Sequence, residues 1–311
     1  MSLQEQIRAN RVRSAFVILG FALLIGVFAV AIWLAFDPSI GILLAIIGIG
    51  YGIFSYLGAG RLVASVAHAH PVTKEEQPEL VRAVENVAIA AGLDRTPPVY
   101  LIEDDAPNAF AAGRTPNDAY VAATTGLVAL MDRRELEGVM AHEISHIRNR
   151  DVRLMTLAAV LVGVIALMAD LLFRISLFGG GRRDNREGGG NPIALVIGIA
   201  ALVLAPISAA LLQASLSRRR EYLADSSAAE ITGDPEGLAR ALAKLGNDKR
   251  PLKYVTRATA HLYIESPLRD NVGLRSSLGG LFDTHPPLED RIHRLEDAGG
   301  FDIPDPEPLD Q

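Results

Sequence analysis

Apolar residues in this chain gather into four long runs, and the rest of the sequence is read around them. Residues 14–36 carry no charged side chain, and neither do residues 39–60. Each stretch is long enough to cross a hydrocarbon core of about 30 Å at about 1.5 Å per helical residue. Asp37-Pro38 between them reads as a tight turn. The pattern predicts a transmembrane helix hairpin over residues 1–60. A third run, 154–178, is interrupted by Asp170 and Arg174, spaced to pair on one helix face. A fourth, 192–216, is uncharged but contains Pro206. With the polar, glycine-rich stretch 179–191 between them, these predict a second membrane or membrane-associated hairpin over 154–216. Full spanning, re-entry and packing partly on protein all remain open for it.

Between and after the runs the periodicity changes. Residues 74–92 place Leu80, Val81, Val84, Val87 and Ala88 at helical spacing and end at Gly92. Residues 98–102 and 119–123 read as strands. Residues 135–153 read as a helix running straight into the third apolar run. Residues 217–231 continue the fourth run as a helix, and Asp234 caps a further one over 235–245. The expected fold class is mainly α with a small β-sheet, plus two membrane helix hairpins. The polar domain is split into residues 61–153 and 217–300, and the Pro- and acid-rich tail, 301–311, is expected to be disordered.

Basic residues set the orientation. Arg8, Arg11 and Arg13 precede the first run and Arg61 follows the second, whereas the turn between them has no Lys or Arg. The N-terminus and the polar domain are therefore expected in the cytoplasm of a multi-pass inner- or plasma-membrane protein, its first run an uncleaved anchor. Arg182, Arg183 and Arg186 depart from that rule if the second hairpin spans fully. The net charge of −6 gives no global support to nucleic-acid binding. The absence of cysteine excludes disulfides and Cys-type zinc sites, leaving a transition metal to His and carboxylate ligands.

Such ligands occur together in Ala141-His142-Glu143-Ile144-Ser145-His146. On a helix, residues i and i+4 lie a turn apart on one face, so two imidazoles can share a metal ion. Glu143 lies one step round, within reach of a metal-bound water. A chance match on a polar helix face is the alternative. The residues after His146 lack the Gly and His of the extended metzincin pattern. The thermolysin-like option uses two His and a Glu, and a later helix offers one in Glu221-Tyr222-Leu223-Ala224-Asp225. There Asp225 is spaced to hold a ligand imidazole from behind. Glu221 can instead pair with Arg218, Arg219 or Arg220, and Asp225 can form a helix salt bridge. Both ligand groups lie close to the second hairpin in sequence, at about 12 Å and about 7.5 Å along continuous helices. That would put a metal just above the bilayer.

H-E-I-S-H, E-Y-L-A-D, Pro107-Asn108-Ala109-Phe110-Ala111-Ala112-Gly113 and the late T-H-P-P-L-E-D-R-I together resemble the HtpX-like membrane proteases of the M48 zinc metalloprotease family. The resemblance implies a zincin-like, gluzincin-type α+β catalytic domain and one Zn2+ per subunit on His142, His146 and Glu221, with Glu143 as general base. It implies quality control of misfolded membrane proteins as part of a stress response, with some members cleaving themselves. Membrane protein substrates and the lipid bilayer are then the partners, with no nucleic acid and an oligomeric state left open. Asn108, Ala109 and Phe110 would form an active-site edge strand for an extended substrate, or else a core strand with Phe110 buried. His285 can donate to a tetrahedral oxyanion or serve as a structural helix-start residue. Arg291 can be a second oxyanion donor or a partner of Asp225 or Glu221. Asp151 can support the ligand helix or pair with Arg148 or Arg150. His68, His70, His261 and His293 show no ligand spacing. A dedicated processing peptidase related to the prenyl-protein proteases, and a membrane scaffold with a structural metal, are the rival readings.

Overall fold

The computed structural model describes residues 53–163, 218–256, 259–265 and 286–303, with isolated positions nearer the N-terminus. Helix α1 (Ala59–Val66) leads to strand β1 (His70–Pro71) and helix α2 (Pro78–Ala90). Pro78 suits the first helical position, where its missing N–H costs nothing. Leu80, Val81, Val84, Val87 and Ala88 are all buried, as their spacing predicts. Gly92 takes a left-handed φ of 67° and closes the helix. Its N–H bonds to Ile89 and that of Leu93 to Ala88, the double closure that a residue without Cβ allows.

Strands β2 (Val99–Ile102), β3 (Ala109–Ala112) and β4 (Tyr120–Thr124) complete a mixed sheet of order β1-β2-β4-β3. β2 runs parallel to β4, whereas β3 is antiparallel to β4. Alternate residues divide between two cores, as a two-residue period requires. Ala109, Ala111, Val121 and Ala123 join the core beneath α2 and helix α4 (Arg133–Arg148). Phe110, Ala112, Tyr120 and Ala122 face Val63, Met155, Ala159 and Tyr263 on the other side. Thr124 caps the short helix α3 (Thr125–Leu130). A capping box opens α4: the Asp132 side chain accepts from the Glu135 N–H at 2.9 Å and Glu135 accepts from Asp132 N–H at 2.8 Å.

The second part of the polar domain supplies α5 (Arg218–Thr232), α6 (Pro235–Asn247), a 3₁₀ turn at Ala260–Leu262 and α7 (Leu288–Gly299). Both parts share one core, with α4 packed on α2, α5 and α6, and α7 on α6. Gly138 makes the α4–α6 crossing close. A Cβ there would meet the Leu238 backbone at 2.8–2.9 Å.

Three expectations need correction. Helix 135–153 is not continuous: α4 ends at Arg148, Arg150 takes a left-handed φ of 59°, and a new helical stretch begins at residue 151. The straight-rod spacing from His146 to the third apolar run therefore does not hold. The run's first residues pack on protein, with Leu154, Met155, Leu157, Ala158 and Ala159 buried against the rest of the fold. The C-terminal tail starts later than residue 301, because Phe301 and Ile303 pack on the core and the Ile303 N–H bonds to Glu296. Among the described residues no helix is long and apolar enough to cross a membrane. The expected hairpins, 1–60 and 154–216, lie mostly outside the described residues, as does 304–311.

Candidate metal centre

Helix α4 carries His142 and His146 one turn apart, with the Nε2 atoms 3.3 Å from each other and the rings nearly perpendicular at 89°. Helix α5 brings Glu221 to the same point. Its Oε2 lies 3.6 Å from His142 Nε2 and its Oε1 3.8 Å from His146 Nε2. All three side chains are buried, and their ligand atoms lie within 4.8 Å of one another. Two nitrogens bound tetrahedrally to zinc at about 2.0–2.1 Å would sit about 3.3 Å apart, the spacing seen here.

The opposite ring nitrogens carry a second argument for a metal. His142 Nδ1 lies 2.9 Å from Asp225 Oδ1, on the same face of α5 as Glu221, and His146 Nδ1 lies 3.4 Å from Asp151 Oδ2. With the Nδ1 protons directed at carboxylates, both Nε2 lone pairs face one another across 3.3 Å. That arrangement could hold a metal ion between them. Arg291, on α7, is fully buried and grips Asp225 with a two-pronged contact of 2.9 and 2.7 Å. A third bond, 3.1 Å, goes to the Ile264 carbonyl. Arg291 Nη2 also lies 3.3 Å from His142 Nδ1. The shorter Asp225 contact decides the tautomer, because only Nδ1–H can donate to a carboxylate.

The electrostatics follow from this packing. For His142, burial works against a charge, but its hydrogen bonds to the Asp225 and Glu221 carboxylates outweigh it and raise its pKa to about 9. Burial likewise opposes ionisation of Asp225, and the Arg291 charge overcomes it and holds the carboxyl below its ordinary range. Glu143 is 1% exposed, on the same helix as the two histidines.

The model of peptidase family M48 matches residues 74–298, a span containing every residue of this centre. The chain belongs to peptidase family M48. It is 44% identical over 300 residues to a "Protease HtpX homolog" of Ligilactobacillus salivarius, covering 94% of this chain and 99% of that one. It is 42% identical over 297 residues to a "Protease HtpX homolog" of Dictyoglomus thermophilum, covering 95% and 94%. The crystal structure of S. mikatae Ste24p superposes with a TM-score of 0.49 at 19% identity, covering 94% of this chain and 66% of that one. The protein is thus an HtpX-like M48 metalloprotease.

In this M48 protease β3 is a covered edge. Ala109 and Phe110 have no exposed surface, and Phe110 meets the Tyr263 ring edge-on at 5.1 Å. The Ile264 N–H bonds to the Ala109 carbonyl at 2.9 Å. Asn108 clasps the same segment, its side-chain amide donating to the Glu265 carbonyl at 3.0 Å. Residues 263–265 thus lie along the free side of β3, linked through Arg291 to Asp225. No motif announces this segment, and the contact spans 157 positions of sequence. His285 lies outside the described residues. His68, His70, His261 and His293 do not join the ligand group. His261 is buried with Nε2 on the Met155 carbonyl, and His293 pairs with Glu296 at the surface.

Proposed function

We propose that this M48 protease is an integral-membrane zinc endopeptidase that hydrolyses peptide bonds in misfolded or damaged membrane proteins. The observation that carries the zinc reading is the buried group of His142, His146 and Glu221, whose donor atoms lie within 4.8 Å of one another, with Glu143 buried on the same helix as the two histidines. A structural zinc is usually closed by four protein ligands, whereas three come together among the described residues and leave a position for water. Bound there, zinc would acidify water and polarise a scissile carbonyl. His142, His146 and Glu221 would hold the ion. Asp225 keeps His142 in the tautomer with Nε2 free, and Arg291 keeps Asp225 ionised. Glu143 takes the proton from the attacking water and returns it to the leaving amine. His285 donates a hydrogen bond to the oxyanion.

An extended substrate would reach Asn108, Ala109 and Phe110 by pairing at the edge where residues 263–265 now lie, or by adding beyond them. The membrane location is supported by the uncharged runs 14–36 and 39–60 and by HtpX-like relatives along nearly the whole chain. Quality control is the substrate class the HtpX resemblance suggests.

The test is proteolysis of an unfolded protein in detergent by wild type and Glu143→Gln, after chelation and after zinc is returned. Glu143→Gln is expected to bind zinc normally and to lose turnover by about 10²-fold or more. Full activity in that variant would overturn the assignment.

A further inference from the structure

We infer that Asp151 is a positioning residue for the ligand His146, delivered to it by the left-handed turn that ends α4. This rests on the metal-ligand reading above. Asp151 follows His146 by five positions. On an unbroken helix five residues advance about 140° round the axis, which would point Asp151 away from His146. The chain breaks first. The Asn149 N–H bonds to the Ser145 carbonyl at 2.9 Å, the Arg150 N–H closes a tighter turn on Ile147 at 3.1 Å, and Arg150 takes a φ of 59°. A residue with a Cβ rarely adopts that conformation. The turn returns Asp151 to His146, with Oδ2 3.4 Å from Nδ1 and the two side chains 2% and 3% exposed.

An acidic residue in the first turn of a helix interacts favourably with its dipole, and Asp151 begins the stretch 151–163. A surface carboxylate would serve that purpose equally well. Burying one costs desolvation energy, which a specific buried contact offsets. His142 shows the same arrangement, its Nδ1 on Asp225 and its Nε2 on the shared point. Each ligand imidazole therefore has its own carboxylate behind it. One comes from α5. The other comes from the ligand helix's own chain, by way of the break. A carboxylate in that place fixes the ring orientation and the tautomer and strengthens the ligand, and removing one typically weakens metal binding 10–100-fold. The 3.4 Å contact is looser than the 2.9 Å one at His142, so the lower end is expected.

The experiment measures zinc affinity of the full chain in detergent by competition with a coloured chelator. It also records the visible absorption of the Co2+-loaded protein. Wild type, Asp151→Asn and Asp151→Ala are compared, with unfolding of each metal-free protein followed in parallel. The expected result is a graded loss, about tenfold for Asp151→Ala and smaller for Asp151→Asn, with a shifted Co2+ band and unchanged metal-free unfolding of Asp151→Asn. If Asp151→Ala does not fold, Asp151→Asn decides, because it keeps the side chain's shape. Affinity and Co2+ spectrum equal to wild type in the folded variants would overturn the inference and leave the zinc site standing. A wild type that binds no zinc would overturn the metal reading and this inference with it.

Discussion

Arg291 shows what a buried charge does when every hydrogen bond it makes has a purpose. Its guanidinium has no exposed surface, its fork is filled by Asp225, and its remaining nitrogen holds the Ile264 carbonyl. Such a pair adds little net stability compared with a well-packed apolar pair, but breaking it strands a charge in a medium that solvates it poorly. Arg291→Met is therefore expected to destabilise the folded protein by about 3 kcal/mol, mostly by leaving Asp225 with His142 as its remaining partner. Adding Asp225→Asn should recover a large part of that loss, and the Ile264 carbonyl should keep the recovery incomplete. Denaturant unfolding of the two single variants and the double variant, all metal-free, measures the coupling. Strictly additive effects would mean that the ion pair is not what holds α7 to α5.

At the scale of elements, Asp234 joins two helices. Its carboxylate caps α6 by accepting from the Gly237 N–H at 3.1 Å, and it takes a fork from Arg134 of α4 at 2.7 Å. The Arg134 hydrogen bond leads in holding the Asp234 carboxyl below its ordinary value, and burial opposes it. A depressed pKa stabilises the fold above the unfolded value, near about 3.9, and that contribution disappears as pH falls through the lower folded value. Asp234→Ala should cost about 1 kcal/mol at pH 7. The gap from wild type should narrow below about pH 4, as the wild-type carboxylate protonates. Unfolding midpoints at pH 7 and pH 3 test this, and a gap of constant size would exclude the ionised cap. This cap was legible in the sequence because Asp-Pro-Glu-Gly is a local signal. The break after α4 was not, because Asn149-Arg150-Asp151 contains neither Gly nor Pro and the apolar pattern resumes at once. The two-residue strand β1 was illegible for another reason. It exists by pairing with β2, and nothing in His70-Pro71 asks for a strand.

Across the whole molecule, the grouping of His142, His146 and Glu221 was readable because the i,i+4 pair on α4 and the Glu221–Asp225 pair on α5 are local signals. The cover over β3 was not, because Asn108 and Glu265 meet only after the chain has folded. The candidate ligands come from both parts of the polar domain, His142 and His146 from one and Glu221 from the other. Those parts already share an apolar core running from Leu80 on α2 to Leu295 on α7. A metal here would clasp a domain whose apolar core already joins the two parts, unlike small zinc modules that are unfolded when metal-free. Chelation should therefore lower the unfolding midpoint without abolishing the folded state. Free zinc at about 100 times its Kd adds about 2.7 kcal/mol, corresponding to some degrees in a domain of this size. Thermal unfolding of the full chain in detergent, with and without chelator, measures the shift. Glu143→Gln should respond as wild type does, because Glu143 holds no metal in this scheme. Glu221→Ala should start low and not respond, because the bridge between the two parts is already gone. A zinc-loaded wild type with an unmoved midpoint would mean that zinc does not join these helices, and the ligand set would have to be sought elsewhere in the chain.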